Sequence, residues 1–160
     1  MIGTKLLGKF LLWRDKRLGH RQFVYILSFV IGIISGLAAV LLKNTVHYIQ
    51  HFLLHSLSVD KLNFLYLFFP LTGIILTVLF VRFFVRDNIG HGVSRILFSI
   101  SKQNGRIKPH NNYSSIIAGT LTVGFGGSVG LEAPIVLTGS SVGSTFGHLF
   151  RMNYKTTIVL

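Results

Sequence analysis

Two long apolar stretches without a charged residue dominate the first half of the chain. Residues 23–42 and 62–81 each supply twenty consecutive uncharged positions, and a helix of about 20 apolar residues crosses the hydrocarbon core of a bilayer. Gly32 and Gly36 stand four positions apart in the first stretch, a spacing that allows close helix contact. Pro70 predicts either a kink in the second stretch or the start of its regular helix. The pattern predicts two membrane-spanning helices.

A third apolar region, residues 113–150, is rich in Gly, Ser and Thr and is interrupted by Glu132 and Pro134. Such broken segments occur at membrane depth only where they are buried in protein or line a cavity, and paired broken helices indicate a substrate site in transporters. Three glycines then repeat every four residues and predict a helix face for tight packing against another helix: Gly139, Gly143 and Gly147. We expect an all-α, polytopic membrane protein that includes short, tilted or re-entrant helices.

The composition agrees with a membrane protein. Half of the 160 residues are apolar and 12% are charged, whereas soluble domains carry about 25% charged residues. The chain has no cysteine, which excludes disulfides and thiolate metal sites. The net charge of +12 arises from basic residues that flank the apolar stretches, and this distribution favours a bilayer over nucleic acid as the partner.

The basic residues also predict the orientation. Six Lys or Arg precede the first span, two lie between the spans, and six follow the second within residues 82–108. The positive-inside rule therefore places the amino terminus in the cytoplasm, in what we expect to be a bacterial-type plasma membrane. Residues 1–22 alternate basic and apolar positions and predict an amphipathic segment in the cytoplasmic interface. Residues 23–160 are then the membrane domain, which we expect to be the amino-terminal part of a longer protein.

Glu132 is the only glutamate in the chain and the sole formal charge between Lys108 and Arg151. A charged side chain at membrane depth costs about 2.5–3.5 kcal/mol on insertion scales, so such residues usually mark an ion or proton pathway. The alternative is a buried acid paired with a base, but no Lys or Arg lies within eighteen positions of Glu132. The sequence favours a gate or proton carrier at this position.

Two predicted loop-to-helix junctions, at residues 87–94 and 126–134, place glycines ahead of a helix start. Free backbone N–H groups and the positive end of the helix dipole at each junction make an anion site. This chemistry suits chloride, which needs donors but no covalent partner. A carboxylate at such a point occupies the anion site itself, and its protonation would let an anion pass.

The residues of both junctions resemble motifs of a known family. The segment G-L-E-A-P at residues 130–134 resembles the G-[K/R]-E-G-P motif of the CLC chloride channels and anion/proton exchangers. The segment G-H-G-V-S at residues 90–94 resembles their G-S-G-I-P motif, and the separation of the two is similar. The resemblance implies a homodimer with one pore in each subunit, and an inverted repeat of which the chain holds roughly the first half. It leaves channel and exchanger open, with protons as a second transported ion in an exchanger, and it implies no cofactor.

By position in the motifs, Glu132 matches the external gating glutamate of the family. The backbone of the two junctions matches the anion path, at Gly90, His91, Gly92, Val93, Gly130, Leu131 and Ala133. His91 stands where the family has a serine that contacts the anion, and an imidazole donates a hydrogen bond and carries charge when protonated. The alternative for His91 is a loop histidine that caps a helix. The chain also departs from the motifs at Leu131, Ala133 and Ser94.

Three other interpretations are less favoured. His47, His51 and His55 have the spacing of one helix face, but they lack acidic neighbours other than Asp60, so we expect no metal. A nucleotide-binding enzyme would need a strand before the glycine-rich residues 124–130 and an acidic residue about 20 positions after them, and the chain has no acid there. A non-transporting membrane scaffold accounts for the small residues but leaves Glu132 unexplained.

Overall fold

The computed structural model describes residues 19–56, 65–86 and 92–160, and this part of the chain forms helices and no strand. The α-helices are α1 (His20–Ser56), α2 (Leu65–Phe80), α3 (Gly92–Lys102), α4 (Asn111–Gly124), α5 (Glu132–Leu149) and α6 (Tyr154–Val159). A π-helical turn, Val81–Val85, continues α2. The predicted all-α class is confirmed. The predicted interfacial segment, residues 1–22, lies outside the described residues except for its last four positions.

Two helices are long and apolar enough to cross a membrane: Arg21–Leu53 within α1, and Phe68–Val85 through α2 and the π-helical turn. They correspond to the two predicted spans but extend past the predicted ends at residues 42 and 81. The helices continue through Lys43 and Arg82. A charged residue need not end a span, because a long basic side chain can extend its charge toward the membrane edge. With 37 residues, α1 is about 55 Å long, so it tilts or extends beyond a hydrocarbon core of about 30 Å.

The structure excludes one of the two alternatives for Pro70 and shows no close partner for Gly32 and Gly36 among the described residues. Helix α2 begins at Leu65 and contains Pro70, so regular helix does not start at the proline. Gly32 and Gly36 form no close helix contact within the described residues, since a Cβ atom at either position would have no neighbour within 4 Å. The two glycines leave this helix surface without side chains, but no described helix packs against it.

Helices α4 and α5 form the centre of the packing. Helix α4 contacts α1, α2 and α5, and α5 also contacts α1, α3 and α6. Most of the buried side chains of these two helices are small and polar: Asn111, Ser114, Ser115, Thr120, Thr138, Ser141 and Ser144. In contrast, large apolar side chains of α1 are exposed, with Tyr25 at 73% and Phe29 at 71%. This inversion suits a lipid environment, in which small and polar side chains join helices and apolar ones face outward.

An apolar cluster joins the amino-terminal half of α1 to α5 and contains Phe23, Leu27, Ile31 and Val142. The ring of Phe23 meets that of Phe150 edge to face, with ring centres 5.4 Å apart. Both contacts fix the carboxyl-terminal part of α5 against α1.

The three regularly spaced glycines of α5 contact two partners and not one. A Cβ atom on Gly139 would lie 3.3 Å from Ser35 Oγ of α1, whereas Gly147 faces Thr157 of α6 at 2.7 Å and Gly143 faces Leu160 at 3.1 Å. The glycine face thus allows close packing along α5, and its partners are two different elements. Helix α5 turns its glycines toward α1 at one end and toward the segment of α6 at the other.

Candidate functional site

Helix α5 begins at Glu132, where the glycines before it and Pro134 after it predict a helix start. Leu131 is the N-cap residue, and no side chain caps this end of the helix. The first helical hydrogen bond is donated by Ile135 N–H to the Leu131 carbonyl, at 3.3 Å. Since proline has no N–H, the helix start leaves the N–H groups of Leu131, Glu132 and Ala133 without a partner inside the helix.

A tight reversal of the chain brings these N–H groups into position. Gly126 has a φ of +88°, a left-handed conformation that favours glycine. Gly127 N–H donates to the Thr122 carbonyl at 2.9 Å, and a Cβ atom on Gly127 would lie 2.6 Å from that same oxygen. The chain can therefore fold back from the end of α4 only with these two glycines in place.

Helices α1 and α4 support the reversal from behind. The side-chain amide of Gln50 donates to the Val123 carbonyl at 3.1 Å, which ties α1 to the last turn of α4. A Cβ atom on Gly119 would lie 3.0 Å from Pro134 Cγ, so the first turn of α5 lies directly on α4. These contacts fix the direction in which the start of α5 points.

The start of α3 meets the start of α5. Gly92, the first residue of α3, is buried, and a Cβ atom on it would lie 2.7 Å from the carbonyl oxygen of Ala133. Such a distance leaves no room for a side chain, so the first turns of the two helices are in direct backbone contact. Val93, the next residue of α3, is 54% exposed. The described parts of the two predicted junctions, residues 92–94 and 126–134, are thus joined at Gly92 and Ala133.

Glu132 itself is exposed, and so are Gly130 and Ala133 on either side of it. It is the only acidic residue of the described ranges, and in this part of the chain it makes no ion pair. The structural alternative, a buried acid paired with a base, has no support among the described residues. A carboxylate here faces open space beside the N–H groups that begin α5.

The predicted site residues divide into three groups. Gly92 and Ala133 are in contact, while Val93, Gly130 and Leu131 lie within three positions of one of them in the chain. Gly90 and His91 lie outside the described residues. The supporting residues, Gly119 and Gln50, were missed, although a glycine within the third apolar region and a lone amide at the end of a span were available as signals. No group of three metal-ligating side chains is assembled within the described ranges.

A comparison with protein families gives a match that covers both helix starts. The model of a family described as voltage gated chloride channel matches residues 73–160, more than half of the chain. The matched region contains α3, α4 and α5 and therefore both helix starts. Comparisons with curated proteins and with solved structures find no match.

Proposed function

Because the chain belongs to the voltage-gated chloride channel family, we propose that it moves chloride or a similar anion across a membrane past the joined starts of α3 and α5. Family membership confirms the resemblance carried by the two motifs. Together with the two apolar helices, it identifies an integral membrane protein with the polytopic all-α fold of the family. The observation that carries the proposal is the contact between Gly92 and Ala133.

This contact supports an anion site by adding the effects of two helix ends. Each helix amino terminus carries roughly half a positive charge and open N–H donors. When two such ends meet, their fields and donors act on the same small volume, which holds an anion without a cationic side chain. The anion path then involves the backbone of Gly90, His91, Gly92 and Val93 on one side and of Gly130, Leu131 and Ala133 on the other.

Glu132 is the gate in this proposal. Glu132 is the first residue of α5, and in this proposal its carboxylate competes with an anion for the N–H donors of the helix start. The deprotonated side chain competes with the anion, and protonation removes its charge and frees the path. Anion movement therefore increases as the pH falls, and an exchanger would also carry the proton across.

The remaining parts of the proposal concern the setting of the site. The basic residues that follow the second span favour a cytoplasmic location for the carboxyl-terminal ends of α3 and α5. The amino terminus is then cytoplasmic as well, in a bacterial-type plasma membrane. Residues 23–160 form part of the transport domain, and the resemblance implies a homodimer with one anion path in each subunit.

Chloride efflux from liposomes tests the proposal, with the protein that the complete gene encodes and with external pH recorded during the assay. We expect efflux from the parent protein to rise as the pH falls. Glu132→Gln keeps the size of the side chain but never carries a charge, so its efflux should be independent of pH and fast where the parent is slow. Proton movement against the chloride gradient would identify an exchanger.

Ser128→Ala is the matched control, because Ser128 is an exposed, uncharged residue of the same loop. Its efflux should follow the pH dependence of the parent. Efflux that keeps its pH dependence in Glu132→Gln would remove the gating role from Glu132. A protein that incorporates into liposomes but moves no anion in any variant would be a membrane scaffold.

A further inference from the structure

A second, basic pocket lies at the other end of α5. This cavity of about 1050 Å³ is bounded by the loop between α3 and α4, the last turn of α5 and the start of α6. Three of its lining side chains carry or can carry positive charge: Arg106, Lys108 and His148. Glu132 and His148 are sixteen residues apart on α5, about 24 Å along the helix axis. The basic pocket is therefore separate from the candidate anion path.

Buried hydrogen bonds hold the walls of the basic pocket in place. Ser144, which is 3% exposed, donates to the Gly105 carbonyl at 2.7 Å and accepts from Ile107 N–H at 3.0 Å. Its hydroxyl thus forms hydrogen bonds with the backbone on both sides of Arg106. On the opposite wall, Tyr154 donates its hydroxyl to the Ile100 carbonyl at 2.9 Å. The pocket is preorganised, since its loop cannot move without breaking these bonds.

The electrostatics of the basic pocket favour an anionic ligand. Burial and, secondarily, the neighbouring Arg106 guanidinium lower the pKa of His148, which lies outside the two spans. Arg106 and Lys108 thus bring positive charge to a cavity that no acidic side chain of the described part lines. Neutral donors complete the lining, among them Gln103, Asn104 and Thr145. This lining suits an anion that accepts several hydrogen bonds.

We propose that the basic pocket binds a phosphate group, presented either by an anionic phospholipid headgroup or by a soluble phosphate. A guanidinium fork, an ammonium group and an imidazole together match the several oxygens of a phosphate, and the cavity is far larger than a halide needs. Arg106 and Lys108 belong to the basic residues that the positive-inside rule assigns to the cytoplasm. Basic pockets between helices on that side of a membrane bind lipid headgroups.

Two probes applied to the purified protein in neutral detergent distinguish the sources. Dioctanoyl phosphatidic acid is titrated and bound lipid is counted by native mass spectrometry. Inorganic phosphate is compared with chloride at equal ionic strength, through the thermal stability of the protein. Stabilisation by inorganic phosphate would identify a soluble ligand, whereas binding of phosphatidic acid alone would identify a lipid headgroup. Either result supports a phosphate site, and binding of neither probe by the parent protein would overturn it.

The double variant Arg106→Gln/Lys108→Gln tests the location. We expect its affinity for the bound probe to fall by about tenfold for each charged hydrogen bond that is lost. The control Arg151→Gln/Lys155→Gln removes the same charges from exposed residues that do not line the pocket, and its affinity should stay within about twofold of the parent's. Equal losses in the two double variants would indicate unspecific attraction and would refute the site.

Two further variants test the phosphate site without altering the loop backbone and distinguish it from the proposed anion path. His148→Gln leaves the loop backbone untouched and should also weaken binding of the probe; unchanged binding would contradict the proposal. Glu132→Gln alters the candidate gate at the far end of α5 and should bind both probes as the parent does. The phosphate site and the anion path can therefore fail independently.

Discussion

Gly92 and Ala133 belong to different helices, yet a Cβ atom on Gly92 would lie 2.7 Å from the Ala133 carbonyl oxygen. The two residues are forty-one positions apart in the chain, and each stands in the first turn of its helix. A glycine at the start of one helix therefore decides how closely the amino terminus of another can approach.

Gly92→Ala is predicted to push the two helix starts apart. Because the added methyl group meets backbone and not a flexible side chain, the first turn of α3 or α5 must shift, which typically costs about 1–3 kcal/mol. We expect anion efflux to fall by at least about tenfold even where the protein still folds, since a displacement of one ångström disrupts a preorganised site. Gly32→Ala is the matched control, because a Cβ there has no neighbour within 4 Å. Equal efflux from both variants would show that the contact is irrelevant to transport.

Gly73→Ala is predicted to destabilise the packing of α2 against α4. The new Cβ would lie 2.6 Å from Phe125 Cβ and 3.1 Å from the Leu121 carbonyl oxygen, so α2 must move away from α4. We expect a loss of about 1–3 kcal/mol, seen as a lower melting temperature in detergent. In contrast, Gly36→Ala should leave stability equal or higher, since alanine is favoured over glycine in a helix by about 1 kcal/mol and has open space there.

Ser144→Ala is predicted to loosen the loop between α3 and α4. The hydroxyl satisfies the Gly105 carbonyl and the Ile107 N–H, and leaving buried groups unpaired costs about 1–3 kcal/mol each. Thermal unfolding in detergent should detect this loss, together with faster amide hydrogen exchange at Ile107. Ser101→Ala removes an exposed hydroxyl that donates to the Phe98 carbonyl at 3.2 Å and should have little effect. A stable Ser144→Ala protein with unchanged exchange would refute the role of the hydroxyl.

Arg106→Gln is predicted to raise the pKa of His148. Burial and the Arg106 charge both lower this pKa from the ordinary value of 6.5, so removing the arginine should bring it part of the way back, with the effect of burial remaining. Just below pH 6.5 the variant should therefore be protonated to a greater extent than the parent. Nitrogen-15 NMR of labelled imidazoles measures this, with His148→Gln to assign the signal. Arg151→Gln should leave the pKa unchanged, and an equal rise there would contradict the assignment to Arg106.

Local chemistry explains what the sequence predicted well. The start of α5 follows from the glycines, the carboxylate and Pro134, all within a few residues of one another, and the two spans follow from charge-free length. Contacts between distant segments were predicted less well. The glycine spacing at Gly32 and Gly36 resembles that at Gly139 and Gly143, but only the second pair meets neighbours. Spacing describes one helix surface and carries no information about which element lies against it.

The sequence did not predict the roles of Gly119 at the candidate site and of Ser144 beside the basic pocket. Gly119 is one of many glycines in the third apolar region, and its role depends on Pro134 lying over it. In the sequence, Ser144 is one small residue among several. In the structure, its two hydrogen bonds hold a loop almost forty positions away in the chain. Both roles arise from tertiary contacts and not from any local pattern.

The absence of an N–H at Pro134 bears on how long an anion would stay. A helix start ordinarily offers four unpaired donors, and the third residue of α5 contributes none. Conduction requires binding that is strong enough for entry and weak enough for departure. If anions pass this helix start as proposed, we expect the missing donor to shorten the dwell time of each ion, so the proline that packs on α4 would also favour rapid release.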